Sequence, residues 1–168
     1  MKKLVSVFMI VFVTLSTSFA QRVAIVDVAS ILEELSDYQN AQKELDKVSA
    51  GWQQEIAQEY DKIKSMYNKY QAEQVLLSDE ARTQKEDEIV KKEQEVRELQ
   101  KRRFGPEGDL FRKRQELVSP IQDKVFAAIE EYANDKGYDL ILDKSSTGGI
   151  LFTSEEFDKT EEIKRKLN

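Results

Sequence analysis

Between Trp52 and Phe104 the chain runs for 53 residues without a glycine or a proline, and 23 of them are charged. Glu, Lys, Gln, Arg and Ala dominate the stretch, and all of them hold a helix well. A run of this length and composition folds as long, solvent-exposed helix or coiled coil. It cannot be the interior of an ordinary domain.

Its first part carries an apolar seam. Ile56, Ile63, Tyr70 and Leu77 recur every seven residues, with Tyr60 and Tyr67 four after the first two, the alternation of a coiled-coil face. Upstream, Val48, Trp52 and Ile56 are spaced four and four, a stutter that predicts local unwinding near Trp52. Ser36 with Gln39 reads as a capping box, so one helix is expected from there to about Leu77. Ser78-Asp79-Glu80 reads as a reversal that caps a second helix, running to Phe104. That helix offers four acid-before-base pairs, Asp87/Lys91, Glu88/Lys92, Glu93/Arg97 and Glu98/Arg102. Its apolar stripe, Ala81, Ile89, Val96 and Leu99, is thin. Such a helix should lie antiparallel against the richer seam with one side wet.

Phe104-Gly-Pro-Glu-Gly108 predicts a kink or a stop and restart, with Pro106 at the first position of the new helix. Ser119-Pro120 reads as the start of a further helix, faced by Ile121, Val125, Ile129 and Tyr132 and ended by Gly137. Val23 to Val28 reads as a strand buried on both faces, and Tyr138 to Asp143 as a second. Gly149 to Thr153 reads as a third short strand, and Asp158 with Glu161 as the start of a last helix ending near Leu167. The expected class is α+β: a body of three strands and helices from residues 21–38 and 119–168, with residues 39–118 inserted as a helical hairpin. A body of about 70 residues is marginal alone, and three strands leave open edges. A homo-oligomer is expected, the body strands joining between subunits through Val23, Ile25, Val26, Leu140, Leu142, Ile150 and Phe152.

The chain has no cysteine and no histidine. Disulfides, thiol nucleophiles, imidazole bases and most metal sites are thereby excluded. The glycine pairs lack the lysine and strand–helix setting of a phosphate loop. No enzyme, cofactor or metal is expected. Residues 1–20 read as a signal peptide: Lys2 and Lys3, an apolar run from Leu4 to Leu15, then Ser18-Phe-Ala20 before the cut. That run is short for a membrane span of about 20 residues. The mature chain is expected outside the cytoplasm, with net charge −8, which argues against nucleic acid as a partner.

Two groups of arm residues are candidates for binding. Trp52, Tyr60, Tyr67 and Tyr70, with Met66 beside them, serve the seam by their spacing, yet the thin second helix cannot cover them all, so partial exposure toward a partner is a second role. Lys101-Arg102-Arg103 and Arg112-Lys113-Arg114 share a face if the helix continues through the glycine-proline break. Charge runs on exposed helices favour a solvated face paired with Glu107 and Asp109. The other reading is a basic patch attractive to lipid head groups or acidic segments of a client.

The order of segments resembles the Skp family, the OmpH-like periplasmic chaperones. The stretches that carry the resemblance are Val23-Ala-Ile-Val-Asp-Val, Val75-Leu-Leu-Ser-Asp-Glu, Phe104-Gly-Pro-Glu-Gly, and Pro120-Ile-Gln-Asp-Lys-Val-Phe running on to Gly137-Tyr-Asp-Leu-Ile-Leu-Asp-Lys144. Phe-Gly-Pro-Glu-Gly is similar to a Bacteroidetes-type variant. The resemblance implies a homotrimer with a shared β-barrel body, whose helical arms enclose a cavity. Unfolded outer-membrane proteins are held there without ATP. The best-known members are strongly basic, whereas residues 31–78 here sum to −4 and residues 79–118 to zero, so no lipopolysaccharide site is carried over. The alternative to a holdase is an envelope scaffold binding one folded partner by its arm.

Overall fold

The computed structural model describes residues 21–146 and 149–167. The expected signal peptide lies outside the described residues. The described chain runs β1 (Val23–Val26), α1 (Val28–Glu34), α2 (Ser36–Glu73), a 3-10 turn (Gln74–Leu76), α3 (Asp79–Phe104), α4 (Asp109–Lys136), β2 (Leu140–Asp143) and α5 (Thr160–Leu167). It divides into two compact units, one from residues up to Val28 together with those from Ala128 onward, the other Ala29–Ala127.

The Ala29–Ala127 unit is helical. α2 is 38 residues long, so it extends about 57 Å at the α-helical rise. It runs unbroken through Trp52, where the stutter suggested unwinding. Its N-cap is Leu35 without a side-chain cap, so Ser36 does not form the expected box. Gln39 Nε2 instead donates to the Glu33 carbonyl at 2.9 Å. The expectation that α2 reaches Leu77 is shortened by one turn, since the chain tightens to 3-10 geometry from Gln74. Ser78 does cap α3, its hydroxyl accepting from the Ala81 N–H at 3.3 Å.

Against α2, α3 buries Ile89 and Val96. Ile56, Ile63 and Val96 form one buried cluster, with Leu99 and Phe104 packed against it. Each such side chain contributes about 1.5–3 kcal/mol when taken fully from water, so a few of them suffice to hold a narrow seam. Ala41, Leu45 and Val118 form a second cluster between α2 and α4, flanked by Tyr38, Leu110, Leu117 and Ile121. Of the four expected ion pairs along α3, Glu93–Arg97 forms, at 3.5 Å. Lys92 reaches across to Glu59 on α2 at 2.6 Å instead of back to Glu88, because a carboxylate on the packed neighbour lies closer than one a turn away.

α3 and α4 are separate helices. The Gly105 N–H closes on the Lys101 carbonyl at 2.7 Å and the Gly108 N–H on the Gly105 carbonyl at 2.9 Å. A Cβ at Gly108 would lie 2.7 Å from the Arg102 carbonyl oxygen and 2.9 Å from that of Arg103, so only glycine fits this elbow. Pro106 sits within the turn, and α4 begins at Asp109. Ser119-Pro120 starts no helix, since α4 continues through it. Pro120 and Glu116 are both exposed, so water can take the carbonyl that the proline leaves unbonded.

In the other unit, β1 pairs in parallel with β2, Val23 opposite Leu140 and Val26 opposite Asp143. On its other side, Ile25 N–H bonds the Phe157 carbonyl and Lys159 N–H bonds the Ile25 carbonyl, both at 2.8 Å. Both edges of β1 are therefore hydrogen-bonded, and Ala24, Ile25 and Val26 are buried. The strand ends at Val26 rather than Val28, and the expected third strand from Gly149 to Thr153 does not form. Phe157–Lys159, rather than that segment, lies along the side of β1 away from β2. Gly137 ends α4 as expected, at φ +66°, with Tyr138 N–H on the Ala133 carbonyl and Gly137 N–H on that of Asn134, a Schellman close. Asp158 Oδ1 accepts the Thr160 N–H at 2.9 Å and so starts α5.

Candidate functional site

The tyrosines of the seam face α3 from its edge. Tyr67 Oη donates to Glu93 Oε1 at 3.0 Å, Tyr60 Oη to Gln100 Oε1 at 3.4 Å, and Tyr70 Oη to Glu86 Oε1. Hydrogen bonds to the Glu93 and Glu86 carboxylates raise the Tyr67 and Tyr70 phenols above their ordinary range. Tyr60 and Tyr67 remain 46 % and 40 % exposed, while Tyr70 and Met66 are half-buried. These rings thus clasp the lean helix by their tips and keep one face in water, which suits tyrosine's mixed character.

Trp52 is enclosed. The Phe104 ring meets it edge-on with centroids 6.3 Å apart, and the Arg103 guanidinium lies 4.8 Å from its centroid. Arg103 also bonds Asp109 Oδ2 at 2.8 Å and Glu55 Oε2 at 3.2 Å. One side chain therefore joins α2, the end of α3 and the start of α4. The guanidinium beside Asp109 holds that carboxyl below its usual range against the opposing effect of desolvation. Sequence reasoning placed Arg103 in a charge run and missed this role. The available signal was an aspartate six residues on, just across the elbow.

The break at Gly105–Gly108 separates the two basic triples, so they do not share one continuous helical face. Lys101, Arg102 and Arg112 come together around an open groove with Gly105, Pro106 and Gly108, and Glu98 and Glu107 on its walls. Arg112 is engaged by Asp109 and by the Glu107 carbonyl, and Lys113 pairs with Glu116 at 3.0 Å. Arg114 lines a separate, smaller groove with Gln42, Leu45, Asp46, Ser49 and Leu110. Among the described residues no carboxylate pairs with Lys101 or Arg102.

In the strand unit, Ile25 and Val26 are buried and Val23 half-buried. Leu140, Leu142 and Phe152 are 50 %, 38 % and 86 % exposed, and Ile150 is half-buried. The side of β2 away from β1 has no strand partner among the described residues. Among them too, no carboxylate cluster could hold a metal ion and no helix is long and apolar enough to cross a membrane.

Residues 22–167, nearly the whole described chain, match the family of outer membrane proteins described as OmpH-like. The chain belongs to that family. A solved structure from Caulobacter crescentus CB15, named as a candidate OmpH-like outer membrane chaperone, shares the fold with a TM-score of 0.72. That likeness covers 88 % of this chain and 84 % of the other at 12 % identity. Among curated proteins nothing matches. The OmpH-like fold accounts for the long hairpin and the two-stranded sheet together, so the α+β class read from the sequence holds with two strands rather than three.

Proposed function

We propose that this OmpH-like chain is a periplasmic, ATP-independent holdase chaperone. In this reading it is exported on residues 1–20 and cleaved after Ala20. It assembles as a homotrimer and holds unfolded outer-membrane proteins in a cavity between the hairpins of three copies. The observation that carries the proposal is the unsatisfied strand unit of an OmpH-like chain: among the described residues the side of β2 away from β1 has no strand partner, and Leu140, Leu142, Leu151 and Phe152 stand in water. An open apolar edge of this kind is normally covered. A neighbouring copy would cover it, and residues 150–153 could supply the added strand.

Client contact falls to the exposed faces of Tyr60 and Tyr67 and to Lys101 and Arg102, with Tyr70 and Met66 as partial contributors. Trp52 and Arg103 are committed to the elbow, and Arg112 and Lys113 to carboxylates on their own helix. Many weak, non-directional contacts of this sort hold diverse chains without selecting one conformation. The test is light scattering from a urea-denatured outer-membrane barrel diluted into buffer with a several-fold excess of the mature protein. Suppression of scattering without nucleotide is expected, and undiminished aggregation would overturn the proposal.

A further inference from the structure

A cut after Ala20 leaves Gln21 as the first residue of the mature chain. Gln21 is exposed, and among the described residues its side chain has no hydrogen-bond partner. Arg22, by contrast, is anchored through both backbone and side chain. Its N–H donates to Asp139 Oδ2 at 2.8 Å, and its carbonyl accepts the Asp139 N–H at 2.9 Å. The guanidinium donates to the Lys136 carbonyl and lies 4.9 Å from the centroid of the Tyr138 ring, which stacks on Tyr132 at 5.9 Å. The mature chain is thus held from Arg22 onward, with a single residue standing outside the anchor.

A terminal glutamine carries both partners of a ring closure. The α-amine is the nucleophile, and because it ordinarily titrates at about pH 7.7–8.0, an appreciable share is uncharged and reactive near neutrality. The side-chain amide carbon, Cδ, is the electrophile. Both belong to one residue, so attack escapes the entropy cost of bringing two molecules together. The N–Cδ bond forms, the Cδ–Nε2 bond breaks, and Nε2 leaves as ammonia with a proton given up by the amine. No oxidant, reductant or second substrate takes part. The anchor does not oppose closure: every ring atom belongs to Gln21, and the Arg22 N–H bonded to Asp139 is not among them.

We propose that Gln21 is a modification site, closing to a pyroglutamyl lactam once the chain is cut after Ala20. The inference rests on that cut and on no other part of the holdase reading. Closure removes the terminal charge, and with it the ammonium group by which aminopeptidases hold a chain. Proteolysis concentrates at termini, and here the margin is one residue. Trimming by two would take Arg22, its contact with Tyr138 and the backbone bonds to Asp139 that lead into the pairing of β1 with β2. A sealed Gln21 guards that anchor.

The mature protein is isolated from the envelope of the cells that encode it, and its intact mass is taken before digestion. Cleavage of the unfolded chain before Asp27 then releases residues 21–26 for mass spectrometry. Chain and peptide should both be lighter than their linear forms by about 17 Da, the ammonia lost with the terminal charge. Edman degradation should stall on the parent until pyroglutamyl peptidase removes the ring, and then read from Arg22. Gln21→Ser has no amide to attack, so it should give its sequence from the first cycle without that treatment. A linear Gln21 at the terminus overturns this inference and leaves export standing, and a Gln21→Ser chain that is equally blocked removes the modification from Gln21. A mature chain that begins at another residue overturns the cut after Ala20 and this inference with it.

Discussion

The Arg103 guanidinium lies over the face of Trp52, 4.8 Å from the ring centroid, while the same group bonds Glu55 and Asp109. The contact joins α2 to both sides of the glycine-rich elbow. Without it, α3 and α4 would meet α2 through separate apolar clusters, one around Ile63 and one around Leu45.

Replacing Arg103 by Gln should therefore destabilise the arm by about 1–3 kcal/mol, because Asp109 and Glu55 lose a charged donor and Trp52 a cation. Arg103→Lys should recover little, since an ammonium cannot stack and fork at once. Trp52 is the single tryptophan, so urea unfolding followed by its fluorescence reads this region directly.

Two glycines should respond in opposite directions to alanine. Gly108→Ala places a Cβ against two backbone oxygens and should cost at least about 1 kcal/mol, as overpacking against rigid atoms does. Gly51 lies inside α2 with open space around its would-be Cβ. Gly51→Ala should stabilise by about 0.5–1 kcal/mol. Thermal melts of the two variants give the comparison.

Acid should loosen the strand unit through Asp158. Burial pushes its carboxyl up, but the Lys144 ammonium at 2.7 Å and the Thr160 hydroxyl and N–H more than offset this and hold it at about 2. A carboxyl depressed in the folded state stabilises fully above its unfolded value, about 3.9, and loses that contribution as pH falls toward 2. Asp158→Asn should therefore lose stability at neutral pH, by roughly 1–2 kcal/mol after discount for its solvent contact. Its stability should also fall less between pH 4 and 2 than that of the parent, as guanidinium titrations at each pH would show.

Placing charge on the exposed apolar residues of the strand unit should dissociate the proposed oligomer. Leu142→Asp with Phe152→Asp is expected to leave the helical content unchanged and to shift sedimentation from trimer to monomer. A variant that sediments like the parent would remove these residues from the interface.

The parts of the fold that were legible beforehand are those decided locally. The seven-residue recurrence of Ile56 and Ile63, the cap at Ser78 and the left-handed glycine at 137 each depend on neighbours within a turn or two. Pro120 was misread because a proline that starts a helix and one tolerated on a wet helical face have the same sequence. The third strand was misread from composition alone: Gly149–Thr153 forms no strand, and the side of β1 away from β2 is taken by Phe157–Lys159, a segment with no strand signal of its own. At the candidate site, spacing found the tyrosines but not their hydroxyl partners on α3. The sorting of six basic residues into one elbow clasp, two helix pairs and three cations without a carboxylate partner among the described residues needed the break at Gly105 to be seen.

β1 finds its partners more than a hundred residues downstream, first at Leu140–Asp143 and then at Phe157–Lys159. Contacts of such long range are slow to form, because the intervening chain must be closed into a loop first. The arm needs no such wait: its helices and its turn are built from near neighbours. Assembly should thus begin in the middle of the chain, the hairpin shortening the loop that β1 must close. A strand unit completed only by Phe157–Lys159 is then the later part of the chain to form, and in the proposed oligomer it would set when copies can join, so a copy lacking those residues would carry an arm without a finished joining surface.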